Sequence, residues 1–382
     1  MTITFFSNFM NIHQLPFCEE LISHVGADNF RFVANTKIDT DRIQMGFEDM
    51  NVTRPFVVRA YEGGEAYKKA EQLALESDVV IFGSASQDFQ RIRLAVNKLS
   101  FRYNERIFKQ GLIRWFDPRV QKLYRNIFTR YKSNELYVLC ASAYTKPDLK
   151  LIGYPGEKCF KWGYFPEIKQ YPNYEYLRGK KNGLKRPGVS ILWAGRLIGL
   201  KHPEVAIKVA KHLMDKGIEF SLNILGDGPL RANLQNMINT LGLSDFVRMF
   251  GAQSHNVVLE EMEKADIFLF TSDRNEGWGA VLNEAMNAGC AVVADKHIGS
   301  APFLIEHGKN GLFYSGTKAD MCEKVDTLVS DSVLREEIGR SAWETINYRW
   351  DIKTATANLF TLIEDLNNHR ESSVMDGPCS LA

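Results

Sequence analysis

The feature that most constrains this chain is a repeated alternation in its second half. Short aliphatic or aromatic runs at 189–194, 220–225, 247–250, 267–270, 291–294 and 311–314 are separated by segments of helical period. The helical segments fall at about 203–216, 229–241, 255–264, 279–288 and 300–306, with two more between 317 and 346. Strands that alternate with helices through short connections cannot form hairpins, so the pattern predicts a parallel sheet covered on both faces, an α/β domain.

The first half carries the same alternation less regularly. Strands are expected at 3–7, 30–33, 56–58, 79–83, 136–140 and 158–162, with helices over 15–25 and 64–76. A length of 382 residues and 45% hydrophobic content suit two such domains, each with its own core. The stretch 166–187, rich in Pro, Gly, Asn and charge and lacking an apolar period, is expected to be the linker. The predicted organisation is an N-terminal domain over 1–170, a C-terminal domain over 171–350, and a final segment over 351–382. That last segment is expected to be a helix to about residue 366 and then a poorly ordered polar tail.

Apolar runs of four to seven residues are far below the ~18 of a membrane span, and the N-terminus lacks a basic leader with a small-residue cleavage pattern. The expected location is the cytosol. Six scattered cysteines without a CxxC or a nearby His cluster argue against a disulfide framework and a zinc site, so no metal is expected. The formal charge of +1 hides an asymmetry: between Arg91 and Lys132 twelve basic residues face two acidic ones, a balance of +10 against −9 for the rest. One face is therefore expected to be positive.

Three constellations could carry chemistry. After the strand at 267–270 comes Glu276-Gly277-Trp278-Gly279, followed by a helix that carries Glu284. Glycines let backbone approach a ligand, a helix start favours anions, and carboxylates accept paired hydrogen bonds from a diol. A ligand with phosphates and vicinal hydroxyls, such as a sugar nucleotide, fits that set. After the strand at 189–194, Gly195-Arg196 and Lys201 supply a planar fork and a point charge suited to a diphosphate. After the strand at 220–225, Gly226-Asp227-Gly228 opens a helix, but Arg231 stands where a dinucleotide fingerprint needs its third small residue. No GxxxxGK[ST] is present, which disfavours a P-loop enzyme.

These residues together give a resemblance. Gly195-Arg196-Leu197 with Lys201, the turn from Gly226 to Pro229, and Glu276 through Glu284 are similar to the ordered motifs of the retaining GT-B glycosyltransferases, family 4, over about 120 residues. The resemblance implies two Rossmann-like domains facing across a cleft and transfer of a sugar from a nucleotide-sugar donor with retention. It implies that Arg196 and Lys201 bind the diphosphate and Glu284 the ribose hydroxyls. Glu276 and the amides of Gly277, Trp278 and Gly279 would hold the sugar and distal phosphate. Trp278 stands where the family usually has Phe, and Phe250-Gly251 is similar to the edge of the base pocket, which Gly226 would also border. The nucleotide sugar is a substrate, so no cofactor is implied, and the final helix would cross back to the first domain.

The first domain departs from the family. The loop from Ser7 to Pro16 lacks a glycine pair, leaving His13 near one strand end and Asp88 near another as candidates to approach the acceptor, with turn or capping roles as the alternative. Glu105-Arg106 and Lys109 resemble a short motif of polysaccharide-assembly members. The segment 91–132 interleaves cations with Phe101, Tyr103, Phe108, Trp115 and Phe116, which suits a peripheral anchor on an anionic membrane or a solvated helix. A nucleic-acid surface is disfavoured for want of any accompanying motif. The expected function is glycosyl transfer to a saccharide or lipid-linked saccharide for surface polysaccharide. The alternatives are another GT-B sugar-nucleotide enzyme, an epimerase or phosphorylase, and a non-catalytic sugar-nucleotide binding subunit.

Overall fold

A computed structural model describes residues 1–38, 43, 48–184 and 188–382. The chain divides into two compact units, one made of Met1–Glu167 with Asp351–Ala382, the other of Ile168–Trp350.

The first unit holds a seven-stranded sheet in the order β3-β2-β1-β4-β5-β6-β7. Its strands are β1 (Ile3–Ser7), β2 (Phe30–Ala34), β3 (Val57–Arg59), β4 (Val79–Phe82), β5 (Ser100–Asn104), β6 (Leu136–Cys140) and β7 (Cys159–Lys161). All neighbours pair parallel, and β1 and β4 are buried at every position, as strands covered on both faces must be. The packing is aromatic: Phe5 meets Phe32 at 5.3 Å and Phe17 at 6.0 Å, and Phe17 meets Trp162 at 5.1 Å, all edge to face. Each such ring removed from water contributes about 1.5–3 kcal/mol.

The second unit holds β8 (Val189–Ala194), β9 (Phe220–Leu225), β10 (Val247–Gly251), β11 (Ile267–Phe270), β12 (Ala291–Asp295) and β13 (Leu312–Tyr314). Their order is β10-β9-β8-β11-β12-β13, again wholly parallel. The helix Pro203–Asp215 begins with Pro at its first turn and buries Ala206, Ile207, Val209, Ala210 and Leu213 on the sheet, the stripe that its sequence period predicts. Strand order reverses between β1 and β4 in one unit and between β8 and β11 in the other. Those are the places where an open α/β sheet leaves a crevice at the carboxyl ends of its strands.

Three expectations are corrected. The stretch read as linker contains the helix Tyr174–Asn182, capped by Asn173, whose Tyr174 and Leu177 pack on Trp343. Two buried positions are too few to make a readable period. Residues 185–187 of that stretch lie outside the described residues. Second, β5 lies inside the basic segment, where its arginine masked it. Third, the polar tail is ordered. Cys379 donates its amide to the Lys161 carbonyl (2.7 Å), Lys161 to Ser380 (2.8 Å) and Ala382 to Cys159 (2.9 Å), so the tail pairs antiparallel with the edge strand β7. An uncovered edge would invite pairing with other chains. Asp365 anchors the tail by accepting from the amide and hydroxyl of Ser373 at 2.8 and 2.7 Å.

All six cysteines are buried free thiols. No helix among the described residues is long and apolar enough to cross a membrane.

Candidate active site

In the second unit the loops after β8, β9 and β10 are laced together by backbone. Gly195 donates to Leu225 (3.0 Å), Leu197 to Asp227 (2.9 Å), Leu230 to Leu197 (3.1 Å) and Gly226 to Gly251 (2.8 Å). The glycines make this possible. A Cβ on Gly226, at φ +139°, would stand 1.8 Å from the Gly195 carbonyl oxygen, and one on Gly228 would stand 2.6 Å from that of Leu197. The Gly-Asp-Gly turn is thus a close backbone contact, and the Gly226 amide is already engaged by Gly251. Phe250 is half-buried, with Arg248 over its ring.

This lacing presents Arg196 outward. Its guanidinium is exposed and has no protein partner among the described residues. Lys201 lies at the end of the same loop and forms an ion pair with Glu276 from the loop after β11, both side chains being largely buried. The Lys201 backbone is held in turn. Its carbonyl accepts from the Thr271 hydroxyl (2.6 Å), which accepts from the Trp193 indole (2.8 Å), and Leu200 accepts from the Asp273 amide (3.0 Å). The next residue, His202, sits in the left-handed region (φ 46°) between Glu204 (3.0 Å) and Asp273 (3.2 Å). Burial works against its charge, but the two carboxylate hydrogen bonds outweigh burial and raise its pKa above the usual 6.5.

Gly279 has φ +80°, and a Cβ there would lie 2.4 Å from Phe270, so the Glu-Gly-Trp-Gly turn needs glycine at that point. The Trp278 indole is buried, donates to Asn283 (2.8 Å) and packs with Trp350 and Phe303, leaving its backbone as the part that faces the loop. The following helix, Val281–Asn287, is shorter than the sequence period suggests. That places more of any anion binding on Arg196 and Lys201 than on the helix start. Glu284 projects from this helix half-buried, with no hydrogen bond or ion pair to its carboxyl among the described residues, and burial alone pushes its pKa up to about 7. A desolvated carboxyl without a partner is suited to accept a ligand's hydroxyl groups. Arg196, Lys201, Glu276 and Glu284 therefore all follow the two strands that flank the reversal point of this sheet.

In the first unit a cavity of about 390 Å³ lies at the corresponding reversal point. Ser7 at the end of β1 and His13 after it line the cavity, with Gly83 and Ser84 after β4, and Arg102 through Ile107 and Lys109 along β5 and beyond. His13 stacks on Tyr164 with centroids 6.4 Å apart, and Tyr164 donates to Glu105 (2.6 Å). Asp88 is not brought to this cavity. It occupies the first turn of the helix Gln87–Ala95, where its amide donates to Ser86 and its exposed carboxylate pairs with Arg91 at 3.4 Å. The structure thus gives Asp88 the capping-turn alternative.

The basic segment is also not one surface. Arg93 is buried and donates to the carbonyls of Ala74, Asp78 and Leu99, and burial lowers its pKa to about 10. Arg102 is likewise buried, with a pKa lowered to about 10 by burial, and donates to Gln90 at 2.7 Å. Arg106 pairs with the buried Asp148 (3.3 Å), and Lys109 pairs with Glu105. Phe101 and Phe108 belong to the core. Sequence reasoning missed the two buried arginines: Arg93 lies on the buried face of the helix Gln87–Ala95 and Arg102 within β5.

A cavity of about 560 Å³ in the second unit lies at Asp266 and Gly289, before β11 and β12, the opposite sheet edge from Lys201 and Glu276. Among the described residues no group of three His, Cys, Asp or Glu is arranged to hold a metal ion.

Residues 179–345, nearly all of the second unit, match the family model of glycosyl transferases group 1. The amylovoran biosynthesis glycosyltransferase AmsK of Erwinia amylovora is 32% identical over 188 residues, 47% of this chain and 44% of that protein. The alpha-D-kanosaminyltransferase of Streptomyces kanamyceticus is 30% identical over 153 residues, 40% of this chain and 39% of that protein. The match therefore spans less than half the length of these curated relatives. Among solved structures, Anabaena Alr3699/HepE in complex with UDP superposes with a TM-score of 0.67 at 18% identity, covering 96% of this chain and all of that one. The lipopolysaccharide outer core galactosyltransferase WaaB superposes at 0.63 and 18% identity, covering 96% of this chain and 98% of that one. The fold is that of these neighbours: two Rossmann-like, parallel-sheet α/β domains of the GT-B type.

Proposed function

We propose, from the match of residues 179–345 to the glycosyl transferases group 1 model, that the chain is a retaining glycosyltransferase of the family 4 type. It moves a sugar from a nucleoside-diphosphate sugar to a saccharide or lipid-linked saccharide acceptor in surface polysaccharide synthesis, working as a peripheral protein on the inner face of the membrane. The observation that carries this reading is the convergence at one sheet reversal of an unpaired guanidinium, Arg196, a Lys201–Glu276 ion pair and an unpaired carboxyl, Glu284. The relatives support the polysaccharide setting, and HepE structures with UDP and with UDP-glucose make UDP the first nucleotide to test.

In this reading Arg196 and Lys201 bind the diphosphate, and Glu284 accepts from the ribose diol. Glu276, with the Gly277, Trp278 and Gly279 amides, orients the sugar. The bond from the anomeric carbon to the phosphate oxygen breaks, and its electron pair leaves with the nucleoside diphosphate. Arg196 and Lys201 oppose the charge that builds there, the place where fixed cations lower a barrier most. The acceptor hydroxyl attacks from the same face, and its proton passes to the departing phosphate oxygen. No protein nucleophile and no metal enters the scheme. His13, in the cavity of the first unit, is the acceptor-side candidate.

Transfer by Arg196→Ala and by Glu276→Ala is expected to fall by about 10²–10³, the usual loss when one charge-stabilising group is removed. Rates within about threefold of wild type would overturn the assignment. Thermal shifts across a panel of nucleotide sugars identify the base and sugar, because a bound ligand raises apparent stability.

A further inference from the structure

Within the basic segment the chain builds an apolar projection. The single turn Leu112–Phe116 exposes Leu112, Ile113 and Phe116 at 52%, 77% and 79% of their full surface, and Leu123 on the adjoining helix Pro118–Ile127 at 39%. The turn is fixed from beneath. Trp115 points inward to Phe108 at 5.9 Å, Gln121 donates to the Trp115 carbonyl (2.8 Å), Gly111 donates to Phe108 (3.0 Å), and Asp117 caps the helix through the Arg119 amide (2.8 Å). Three large apolar side chains held outward within five residues are a contact surface, since isolated exposed ones would be scattered.

The charge around the projection says what it contacts. From 110 to 132 there are six cations, Arg114, Arg119, Lys122, Arg125, Arg130 and Lys132, all exposed, and one acid, Asp117, which is paired with Arg119. A second copy would set like charge against like and be repelled. We propose that the Leu112–Phe116 turn is a wedge that docks this unit on an anionic lipid bilayer. Ile113 and Phe116 enter the boundary between headgroups and acyl chains, and Arg114, Arg119, Lys122 and Arg125 meet lipid phosphates. Arg102, Arg106 and Lys109 of the same basic segment are buried or paired and take no part. Glu105, Arg106 and Lys109, which line the cavity of the first unit, run within a few residues into the wedge. That an acceptor carried on lipid enters there rests on the proposed transferase function, whereas docking on the bilayer does not.

The test is co-sedimentation of the full chain with vesicles of phosphatidylcholine alone and of phosphatidylcholine mixed with phosphatidylglycerol. Wild type is expected to pellet with the mixed vesicles and to be released by salt. Ile113→Asp with Phe116→Asp is expected to weaken binding by at least about tenfold, and Lys122→Gln and Arg125→Gln by about fivefold each. All four positions are exposed, so the thermal midpoint and the shift caused by UDP should match wild type. Absence of wild-type binding to mixed vesicles, or equal binding by the wedge variant, would overturn the proposal. So would a lower oligomer mass of that variant without lipid, which would make the face a protein interface. Absence of any UDP shift would count against the transferase reading and leave the vesicle result standing.

Discussion

At the scale of single residues, the site joins groups in opposite electrostatic states. Arg196 is exposed and has no partner among the described residues, Lys201 and Glu276 neutralise each other, and Glu284 is held with its charge disfavoured by burial. Glu284 gives a pH signature. Its folded pKa of about 7 stands above the ordinary 4.5, so the stability it contributes is fully present below 4.5 and is lost as pH rises through about 7. Glu284→Gln removes that loss. Urea unfolding from pH 5 to 8 should therefore show the variant gaining on wild type by on the order of 2–3 kcal/mol up to about pH 7 and then levelling. A difference that does not change with pH would contradict the assignment. These residues were legible in the sequence because Arg196, Lys201 and Glu276 sit in loops directly after strands and Glu284 on the helix that follows one of those loops, so their neighbours in sequence reveal their place. Arg93 and Arg102 were not legible. Arg93, clamped by carbonyls of 74–78 and Leu99, and Arg102, held by Gln90, look in the sequence like any surface cation.

At the scale of elements, the strands of the second unit follow from the sequence to within a residue, because runs such as Ile267–Phe270 are uniformly apolar between turn residues. Elements with mixed composition were missed. β5, with Arg102 and Asn104, is a central strand in a charged stretch, and the helix Tyr174–Asn182 has only two buried positions. The tail was misjudged because its order comes from partners far away in sequence: three backbone hydrogen bonds to β7 and the Asp365 anchor. Deletion of residues 371–382 should cost about 2–4 kcal/mol, from the lost bonds at about 0.5–1.5 kcal/mol each together with the burial of Cys379. It should also expose the β7 edge and promote self-association, seen by light scattering. A truncated chain with unchanged unfolding midpoint and mass would show that the tail only rests on the sheet.

At the scale of the whole molecule, the two units repeat one plan, a parallel sheet whose strand order reverses once with polar side chains gathered where it does. The second unit was readable down to its motif residues since those are clustered in sequence. The cavity of the first unit draws on Ser7, Gly83, Arg102 and Tyr164, which are spread over most of that unit and carry no local motif. That is the physical reason this cavity was thin in the sequence, and Asp88, near a strand end in sequence, is not among the residues that line it. The charge asymmetry kept its meaning in altered form: some cations are internal struts or paired, and six exposed ones lie in the same stretch as the exposed turn Leu112–Phe116.

The measurement that bears most directly on the account is release of nucleoside diphosphate from a nucleotide sugar, followed with and without a saccharide acceptor, in wild type and in Arg196→Ala. Glycosyl transfer predicts release that depends on acceptor and falls by about 10²–10³ in the variant. Release that ignores both acceptor and variant, or conversion of the sugar nucleotide to an isomer without release, would contradict it.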